Sequence, residues 1–158
     1  MEIMAAANMT IRKATPQDVE AIVRLANAGG PDGKPRRNLP DVLPDSYWKV
    51  FHTIDADANQ RLMVIENEGV VIGTFHLTFL YYLAAAGRPD AQVEAIHVSA
   101  DYRRQGIGSR MLEWVIHEAK NQDCRRVQLT TDKRRTEAHP LYLRLGFEFS
   151  HEGAKLYL

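Results

Sequence analysis

One glycine-rich turn, set between an apolar strand and an amphipathic helix, constrains the fold of this chain more than any other feature. The strand is predicted over residues 92–98, the turn reads Arg-Arg-Gln-Gly-Ile-Gly over residues 103–108, and the helix continues to about Asn121. The first N–H groups of a helix lack an intrahelical partner and carry the positive end of the helix dipole. Together with the N–H groups of the turn they suit a phosphate or pyrophosphate, and Gly106 and Gly108 leave room for a ligand at the backbone.

The turn by itself is a weak signal. The dinucleotide-binding pattern Gly-x-Gly-x-x-Gly fails because residue 111 is Met, and the Gly-Lys-Ser or Gly-Lys-Thr of a P-loop is absent from the chain. The alternative interpretation is a structural helix start beside two solvated arginines, Arg103 and Arg104.

Apolar periodicity and turn residues predict the elements that precede this turn. They are a strand over 9–14, a helix that opens with the capping box Thr15-Pro-Gln-Asp18 and ends at Gly29-Gly30, a long loop over 29–46, a helix over 46–58, and a hairpin that turns at Asn67-Glu-Gly69. Proline at the first helical position and glycine after the last are typical helix boundaries.

A short strand over 126–130, a helix over 136–145 and a pair of terminal strands within 147–158 complete the order βααβββαβαββ. This order predicts an α+β (mixed α/β) fold, with a central mixed, mostly antiparallel sheet flanked by four helices. A chain of 158 residues can bury one sizeable core, so we expect a single domain over residues 1–158.

The charge of the chain excludes some classes of partner. Its 20 basic and 20 acidic residues give a formal net charge of zero, which argues against a general binder of nucleic acid or of anionic membranes. Residues 1–99 carry a net charge of −3, whereas residues 100–146 carry +4. The positive excess therefore falls on the segment that contains the glycine-rich turn.

The remaining composition indicates a cytoplasmic protein. A single cysteine, Cys124, cannot form an internal disulfide, which is typical of a reducing compartment. Residues 1–7 lack the basic and apolar regions of a signal peptide. No stretch approaches the roughly 18 apolar residues that a membrane span requires.

Two motifs give the glycine-rich turn a more specific meaning. Residues 103–108 match Gln/Arg-x-x-Gly-x-Gly/Ala, and residues 138–147 are similar to the helix-to-strand passage Ala-x-x-Phe-Tyr-x-x-x-Gly-Phe, with Leu141 in the place of Phe. These motifs, in this order after the opening segment 11–18, resemble the GCN5-related N-acetyltransferase (GNAT) family. The resemblance extends over essentially the whole chain, and it implies a GNAT-like fold and the transfer of an acetyl group from acetyl-CoA to an amine.

The resemblance implies a binding surface for acetyl-CoA as co-substrate. The pyrophosphate would lie on the backbone amides of residues 104–109, and the pantetheine arm would pair with the backbone of residues 96–98 like an extra strand, where two strands splay. The amide of Ile96 would hydrogen-bond the thioester carbonyl and stabilise the developing oxyanion. The implied cofactor-binding residues are Ile96, His97, Val98, Arg103, Arg104, Gln105, Gly106, Ile107, Gly108, Ser109 and Tyr142.

The same resemblance implies catalytic positions. Tyr142 occupies the place of the family's tyrosine that protonates or hydrogen-bonds the departing CoA thiolate, and its structural alternative is an aromatic at the edge of the core. Gln92 and Glu94 lie on the strand face that looks into the substrate cleft in family members. Glu94 would be the base, and its apolar neighbours in sequence favour a raised pKa. The alternatives are an exposed carboxylate and one that only binds the substrate cation.

Other reactive side chains are expected to be structural. Strand alternation places His97 on the face opposite Glu94, and His139 is expected at the surface. Neither histidine has a metal-ligand spacing, so no metal site is predicted. Cys124 is expected to be a small buried residue, not a carrier of the acetyl group. Direct attack of the amine in a ternary complex is therefore favoured.

One position departs from the family pattern. Many members carry Asn where this chain has Arg135, which follows Lys133 and Arg134. Arg135 could contact the 3′-phosphate of CoA or an acidic substrate, or it could belong to a solvated basic loop.

The sequence predicts a small primary amine as the acceptor. It would bind between the loop 29–46 with the second helix and the region 81–91, where the mildly acidic half of the chain suits a cationic amine. No nucleic-acid or membrane partner is expected, and frequent dimerisation in the family leaves a homodimer open. The alternative function is a non-catalytic acyl-CoA-binding sensor or regulatory module.

Overall fold

The computed structural model describes residues 8–30 and 33–158, so segment 1–7, where no signal peptide is expected, lies outside the described residues. The elements in chain order are β1 (Met9–Lys13), α1 (Val19–Ala28), α2 (Ser46–Ala56), β2 (Gln60–Asn67), β3 (Val70–Leu80), β4 (Asp90–Val98), α3 (Ile107–Asn121), β5 (Arg126–Leu129) and α4 (His139–Arg144). Short 3-10 turns precede α1 and flank β4.

The five strands form one sheet in the order β1-β2-β3-β4-β5. The first three pairings are antiparallel, and β4 pairs with β5 in parallel. The predicted mixed, mostly antiparallel sheet with four helices is therefore confirmed. The hairpin turn between β2 and β3 also lies where the sequence predicts it.

The predicted pair of terminal strands is wrong. Residues 147–158 contain neither helix nor strand, and the apolar side chains of Phe149, Leu156 and Tyr157 are exposed. A strand is stabilised by a paired edge together with a buried face. These side chains bury no such face, so apolar residues alone did not indicate a strand here.

One face of the sheet carries the larger core. Helix α3 packs there, and its buried Met111 and Leu112 belong to one cluster with Phe75, Leu77 and Val93 of β3 and β4. Side chains alternate between the faces of a strand. The residues between these strand positions therefore point to the opposite face.

Helices α1 and α2 cover that opposite face. Val19 of α1, Phe51 of α2 and Val64 of β2 form its buried cluster. The predicted capping box is present directly before α1: the Asp18 carboxylate accepts a hydrogen bond from the Thr15 amide at 2.7 Å. The sheet is thus enclosed between α3 on one side and α1 with α2 on the other.

A buried carboxylate at the first residue of β4 fixes β5 beside it. The Asp90 side chain is fully buried and accepts hydrogen bonds from Arg125 Nε at 3.0 Å, Arg125 Nη2 at 2.9 Å and Arg126 Nε at 2.9 Å. The hydrogen bonds from Arg125 lower the pKa of the Asp90 carboxyl, against the opposing effect of burial. The ion pairs therefore join the beginning of β4 to that of its parallel neighbour β5.

We expect Asp90→Asn to lower the free energy of unfolding at pH 7 by about 2–3 kcal/mol. Losing one partner of a buried ion pair is costly, and the cost is reduced here because both arginines remain partly in water. The folded-state pKa of Asp90 lies below its ordinary value of 3.8, so the stabilisation is complete above about pH 4–5 and is lost as the pH falls. Urea unfolding from pH 7 to pH 3 measures both effects.

Asp123→Asn is the matched control. The Asp123 side chain is 80% exposed and pairs with Arg88, so its loss should cost less than about 1 kcal/mol. An equal loss of stability in the two variants would contradict the structural role of Asp90.

Candidate functional site

The backbone of the glycine-rich turn adopts left-handed conformations at two residues. Arg104 has φ +59° and Gly106 has φ +78°, and α3 begins at the next residue, Ile107. A Cβ built on Gly106 would meet no atom within 4 Å, so this part of the turn faces open space. Arg103 and Arg104 are exposed beside it. The first amides of α3 therefore open onto an accessible surface with two cationic side chains, an arrangement that suits an anionic group.

Gly108 has a different environment from the one expected. A Cβ built on Gly108 would lie 3.3 Å from Cδ2 of Leu141, so the space expected there for a ligand is taken by α4. Arg144 of α4 also donates to Ser109 Oγ at 3.3 Å. Gly108 thus allows α4 to pack closely against the beginning of α3. Sequence alone could not separate this packing role from ligand access, because both need a small residue.

Strands β4 and β5 diverge beside the turn. They pair only over residues 90–93 of β4, and β5 ends at Leu129. Residues 96–98 have no strand partner on the β5 side among the described residues. Thr131 follows β5, and its hydroxyl oxygen is buried there. The predicted splay between two strands is therefore present, next to the predicted pantetheine-binding residues.

A β-bulge in β4 changes the direction of the side chains that follow it. His76 of β3 pairs with Glu94, but Thr74 pairs with His97, so β4 has one extra residue in this interval. Ala95 within the bulge has φ +51°. Because His76 and Thr74 lie on the same face of β3, Glu94 and His97 also share a face.

The expectation that His97 faces away from Glu94 is therefore wrong. Strict alternation along residues 92–98 would separate the two side chains, but the bulge shifts the alternation by one residue. Ile96 and Val98 point instead to the larger core, where both pack against its buried residues. The segment contains no glycine or proline that could have indicated the bulge.

His97 lies against the end of α1 in a strongly basic environment. The His97 ring contacts Gly29 so closely that any Cβ at residue 29 would overlap it. Burial, together with the positive charges of Arg36, Arg135 and Arg103, lowers the pKa of His97 to about 4. Its imidazole is therefore neutral at physiological pH.

A cavity of about 220 Å³ opens beside His97, between α1, the loop that follows α1, and α2. We call it the α1 cavity. Its lining consists of Ile22, Val23, Ala26, Asn27, Arg36, Arg37, Leu39, Tyr47 and His97. The expected location between the loop 29–46 and the second helix agrees with this cavity, whereas residues 81–91 do not line it.

Gln92 and Glu94 lie on the same face of β4 as His97, before the bulge. Gln92 is half-buried opposite Thr78, and Glu94 is exposed opposite His76. The apolar environment expected for Glu94 is absent, because Ala95 is exposed and Val93 points into the larger core. Burial lowers the pKa of His76, and the Glu94 carboxylate acts in the opposite direction.

Tyr142 lies at the edge of the larger core, close to the divergence of β4 and β5. Its side chain is 9% exposed and packs edge-on against Phe147, with ring centroids 6.1 Å apart. Burial raises the pKa of the phenol, while Thr131 and Arg135 act in the opposite direction. The phenol therefore stays protonated throughout the neutral range. Tyr142 has the burial of a core-edge aromatic, and its role as a proton donor stays a prediction.

The side chains of Cys124 and His139 both pack against other residues. Cys124 packs against the larger core, and burial raises the pKa of its thiol, which disfavours the nucleophilic thiolate. His139 is half-buried against Phe149 instead of lying at the surface. The described residues contain no cluster of His, Cys, Asp or Glu that could hold a metal ion. None of the described helices is both long and apolar enough to cross a membrane.

Sequence reasoning missed the arginines around His97 as one group. Arg36 and Arg37 belong to the loop after α1, and Arg135 precedes α4, about a hundred residues later. Arg36 and Arg135 both donate to the carbonyl oxygen of Gly29. The departure from the family pattern at Arg135 was one sequence signal for this group. Arg36, its partner in the loop, belongs to no recognisable motif.

Similar proteins share this architecture. A transcriptional regulator from Bacillus halodurans C-125 superposes with a TM-score of 0.88 and is 38% identical, covering 96% of this chain and 100% of its own. A predicted acetyltransferase from Clostridium acetobutylicum, solved with acetyl-CoA, has a TM-score of 0.72 and 20% identity, covering 94% of this chain and 96% of its own. The second likeness supports the fold alone.

A curated relative carries an activity. The aminoalkylphosphonate N-acetyltransferase of Salmonella typhimurium (strain LT2) is 30% identical over 99 residues, which are 62% of this chain and 62% of the relative. The match thus spans less than two thirds of that enzyme. The model of the acetyltransferase (GNAT) family matches residues 21–147, which include the glycine-rich turn, the bulged strand and α4. This chain belongs to the GNAT acetyltransferase family.

Proposed function

We propose that this protein is an N-acetyltransferase that transfers the acetyl group of acetyl-CoA to a small primary amine within a ternary complex. The observation that carries the proposal is the divergence of β4 and β5 beside the glycine-rich turn. It leaves residues 96–98 without a strand partner on the β5 side among the described residues, next to the open amides at the beginning of α3. A pantetheine arm and a pyrophosphate fit these two features in their observed order.

The reaction needs a hydrogen-bond donor to the developing oxyanion and a proton donor to the departing thiolate. Acetyl-CoA supplies a thioester: the amine nitrogen bonds to its carbonyl carbon, the carbon–sulfur bond breaks, and CoA leaves as a thiolate. The Ile96 amide is the proposed hydrogen-bond donor to the thioester oxygen. Tyr142 is the proposed proton donor to the departing sulfur, because a phenol that stays protonated at neutral pH can donate to a thiolate.

Glu94 is the proposed base or substrate contact. Its carboxylate is exposed on the face of β4 that also carries Gln92 and His97. An exposed carboxylate can hold the ammonium form of an acceptor and accept its proton directly or through water. The raised pKa of the Cys124 thiol further supports direct attack over an acetyl-cysteine route.

A small acceptor fits the dimensions of the site. The α1 cavity, at about 220 Å³, is below the range of about 300–1,000 Å³ that is usual for drug-sized ligands. The aminoalkylphosphonate acetyltransferase is a relative that acts on a small molecule. A cytoplasmic location, a single domain over residues 1–158 and a possible homodimer remain parts of the proposal.

A regulatory role is the second candidate. The 38% identical structure from Bacillus halodurans is described as a transcriptional regulator, so an acyl-CoA-binding sensor without turnover deserves a direct comparison. Thiol release from acetyl-CoA, measured across a panel of primary amines, separates the two functions. Turnover with any amine supports the enzyme, whereas acetyl-CoA binding in calorimetry without turnover supports the sensor.

We expect Tyr142→Phe to lower kcat by about 10²–10⁴, which is the usual contribution of a positioned acid. The KM for acetyl-CoA should change little, since the ring and its packing against Phe147 are retained. Steady-state thiol release measures both parameters. Tyr157→Phe, at an exposed position, is the control and should leave both unchanged. An unaltered kcat in Tyr142→Phe would exclude the phenol as proton donor.

We expect Gly106→Trp to abolish measurable acetyl-CoA binding, because the indole would occupy the open space over the turn. The strain of a bulky residue at φ +78° should cost about 1–2 kcal/mol of stability. Gly69→Trp is a matched control: Gly69 has φ +81°, faces equally open space, and lies in the hairpin turn between β2 and β3.

Isothermal titration calorimetry with acetyl-CoA, together with urea unfolding, tests this pair. The control should lose similar stability and keep its affinity. Retained affinity in Gly106→Trp would place the pyrophosphate elsewhere.

A further inference from the structure

We propose that the acceptor is an amine that also carries an anionic acid group, a carboxylate or a phosphonate, and that Arg36 and Arg135 bind this group beside His97. The inference rests on the proposed function, since it concerns the second substrate of that reaction. It differs from the expectation of a simply cationic amine, which was based on the net charge of residues 1–99.

The first observation is a convergence of positive charges that have no acidic partner in the described part of the chain. Arg36, Arg103 and Arg135 are all close enough to His97 to act on its titration. Within residues 8–30 and 33–158, none of these three arginines is ion-paired with a carboxylate. Like charges repel across this region, so an anion that binds there removes an unfavourable interaction as well as forming new ones.

The second observation is the geometry of two guanidinium groups. Nη2 of Arg36 donates to the Gly29 carbonyl oxygen at 3.3 Å, and Nη2 of Arg135 donates to the same oxygen. A guanidinium has five N–H donors in a planar fork. One donor from each arginine is used at Gly29, so both groups are anchored while most of their donors remain available. Such a pair matches the oxygens of a carboxylate or phosphonate.

The third observation is the cavity beside these groups. Arg36 and Arg37 line the α1 cavity together with the apolar side chains of Ile22, Val23 and Ala26. Low-polarity walls strengthen the attraction between a guanidinium and a bound anion. The volume of about 220 Å³ limits the occupant to a small molecule.

The opposite charge needed for the amine lies on the same face of the sheet. Glu94 is exposed before the bulge, and His97 follows the bulge at the cavity. An acceptor with an ammonium end and an acid end would therefore place its amine toward Glu94 and its acid group toward Arg36 and Arg135. A diamine would place a second positive charge among the arginines and is disfavoured.

The first test compares acceptors of similar size in the wild-type protein. We expect kcat/KM to be at least tenfold higher for β-alanine or 2-aminoethylphosphonate than for n-propylamine, and lowest for 1,3-diaminopropane. The two acids distinguish a carboxylate site from a phosphonate site. Equal or better turnover of the propylamine or the diamine overturns the inference but leaves the proposed function intact.

The second test removes one arginine. Arg36→Gln should raise the KM of the preferred anionic amine at least tenfold, with the KM for acetyl-CoA unchanged. Lys34→Gln is the control, because Lys34 is an exposed cation of the same loop that does not line the α1 cavity. A raised KM for acetyl-CoA in Arg36→Gln would assign the arginines to the phosphates of CoA and overturn the inference.

The third test needs no turnover, so it separates this inference from the proposed function. In the free protein, NMR titration of His97 should give a pKa of about 4. Methylphosphonate or propionate should raise it toward the ordinary value of 6.5, because a bound anion offsets the charges of Arg36, Arg103 and Arg135. In Arg36→Gln the pKa should already be higher and respond less to either anion. An unchanged His97 titration at saturating methylphosphonate and propionate would overturn the inference even if every amine is inert.

Discussion

The extra residue at Ala95 determines which side chains of β4 face α1 and the α1 cavity. Without the bulge, His97 would point into the larger core, and Ile96 and Val98 would both face α1. With it, one strand presents polar side chains to one face both before and after the bulge. A non-glycine residue at φ +51° costs free energy. That cost is retained because the packing on both faces depends on the shifted alternation.

The two ends of β4 have complementary roles. At its beginning, Asp90 and its two arginines hold β5 in parallel register for four residue pairs. Beyond these pairs the strands separate, and α4 packs against the beginning of α3 through the contact between Gly108 and Leu141. The sheet is therefore closed at one end by a buried ion pair and open at the other. An opening of this kind is a stable feature of the fold, because neither strand edge has to be broken to expose it.

The order of elements could be predicted from sequence because it depends on local signals. The capping box at Thr15, the turn at Gly69 and the apolar stripe of α3 each specify a boundary or a face within a few residues. The prediction of terminal strands was wrong because a strand also needs a partner edge. Whether such an edge exists depends on the rest of the sheet and cannot be read from the segment itself. The predicted alternation of the β4 side chains was wrong for a similar reason, since a bulge without glycine is set by the packing of both faces.

The site was predictable where it follows a motif. The family motifs identified the glycine-rich turn and Tyr142 in the sequence, and the structure brings both close to the divergence of β4 and β5. Two other features could not be predicted from the motifs. The packing at Gly108 depends on α4, and the orientation of His97 depends on the bulge. Arg36 and Arg135 are far apart in sequence and come together only in the folded chain, where both donate to the Gly29 carbonyl oxygen. No sequence pattern identifies that carbonyl as a shared acceptor.

Gly29 carries a consequence for redesign of this protein. Its carbonyl accepts from both Arg36 and Arg135, and its missing Cβ leaves the space that the His97 ring fills. Any side chain at residue 29 would displace the imidazole that packs beside the shared carbonyl. A mutant library that seeks new acceptors can therefore diversify residues 33–38 of the loop, where side chains are exposed, but should keep residue 29 invariant.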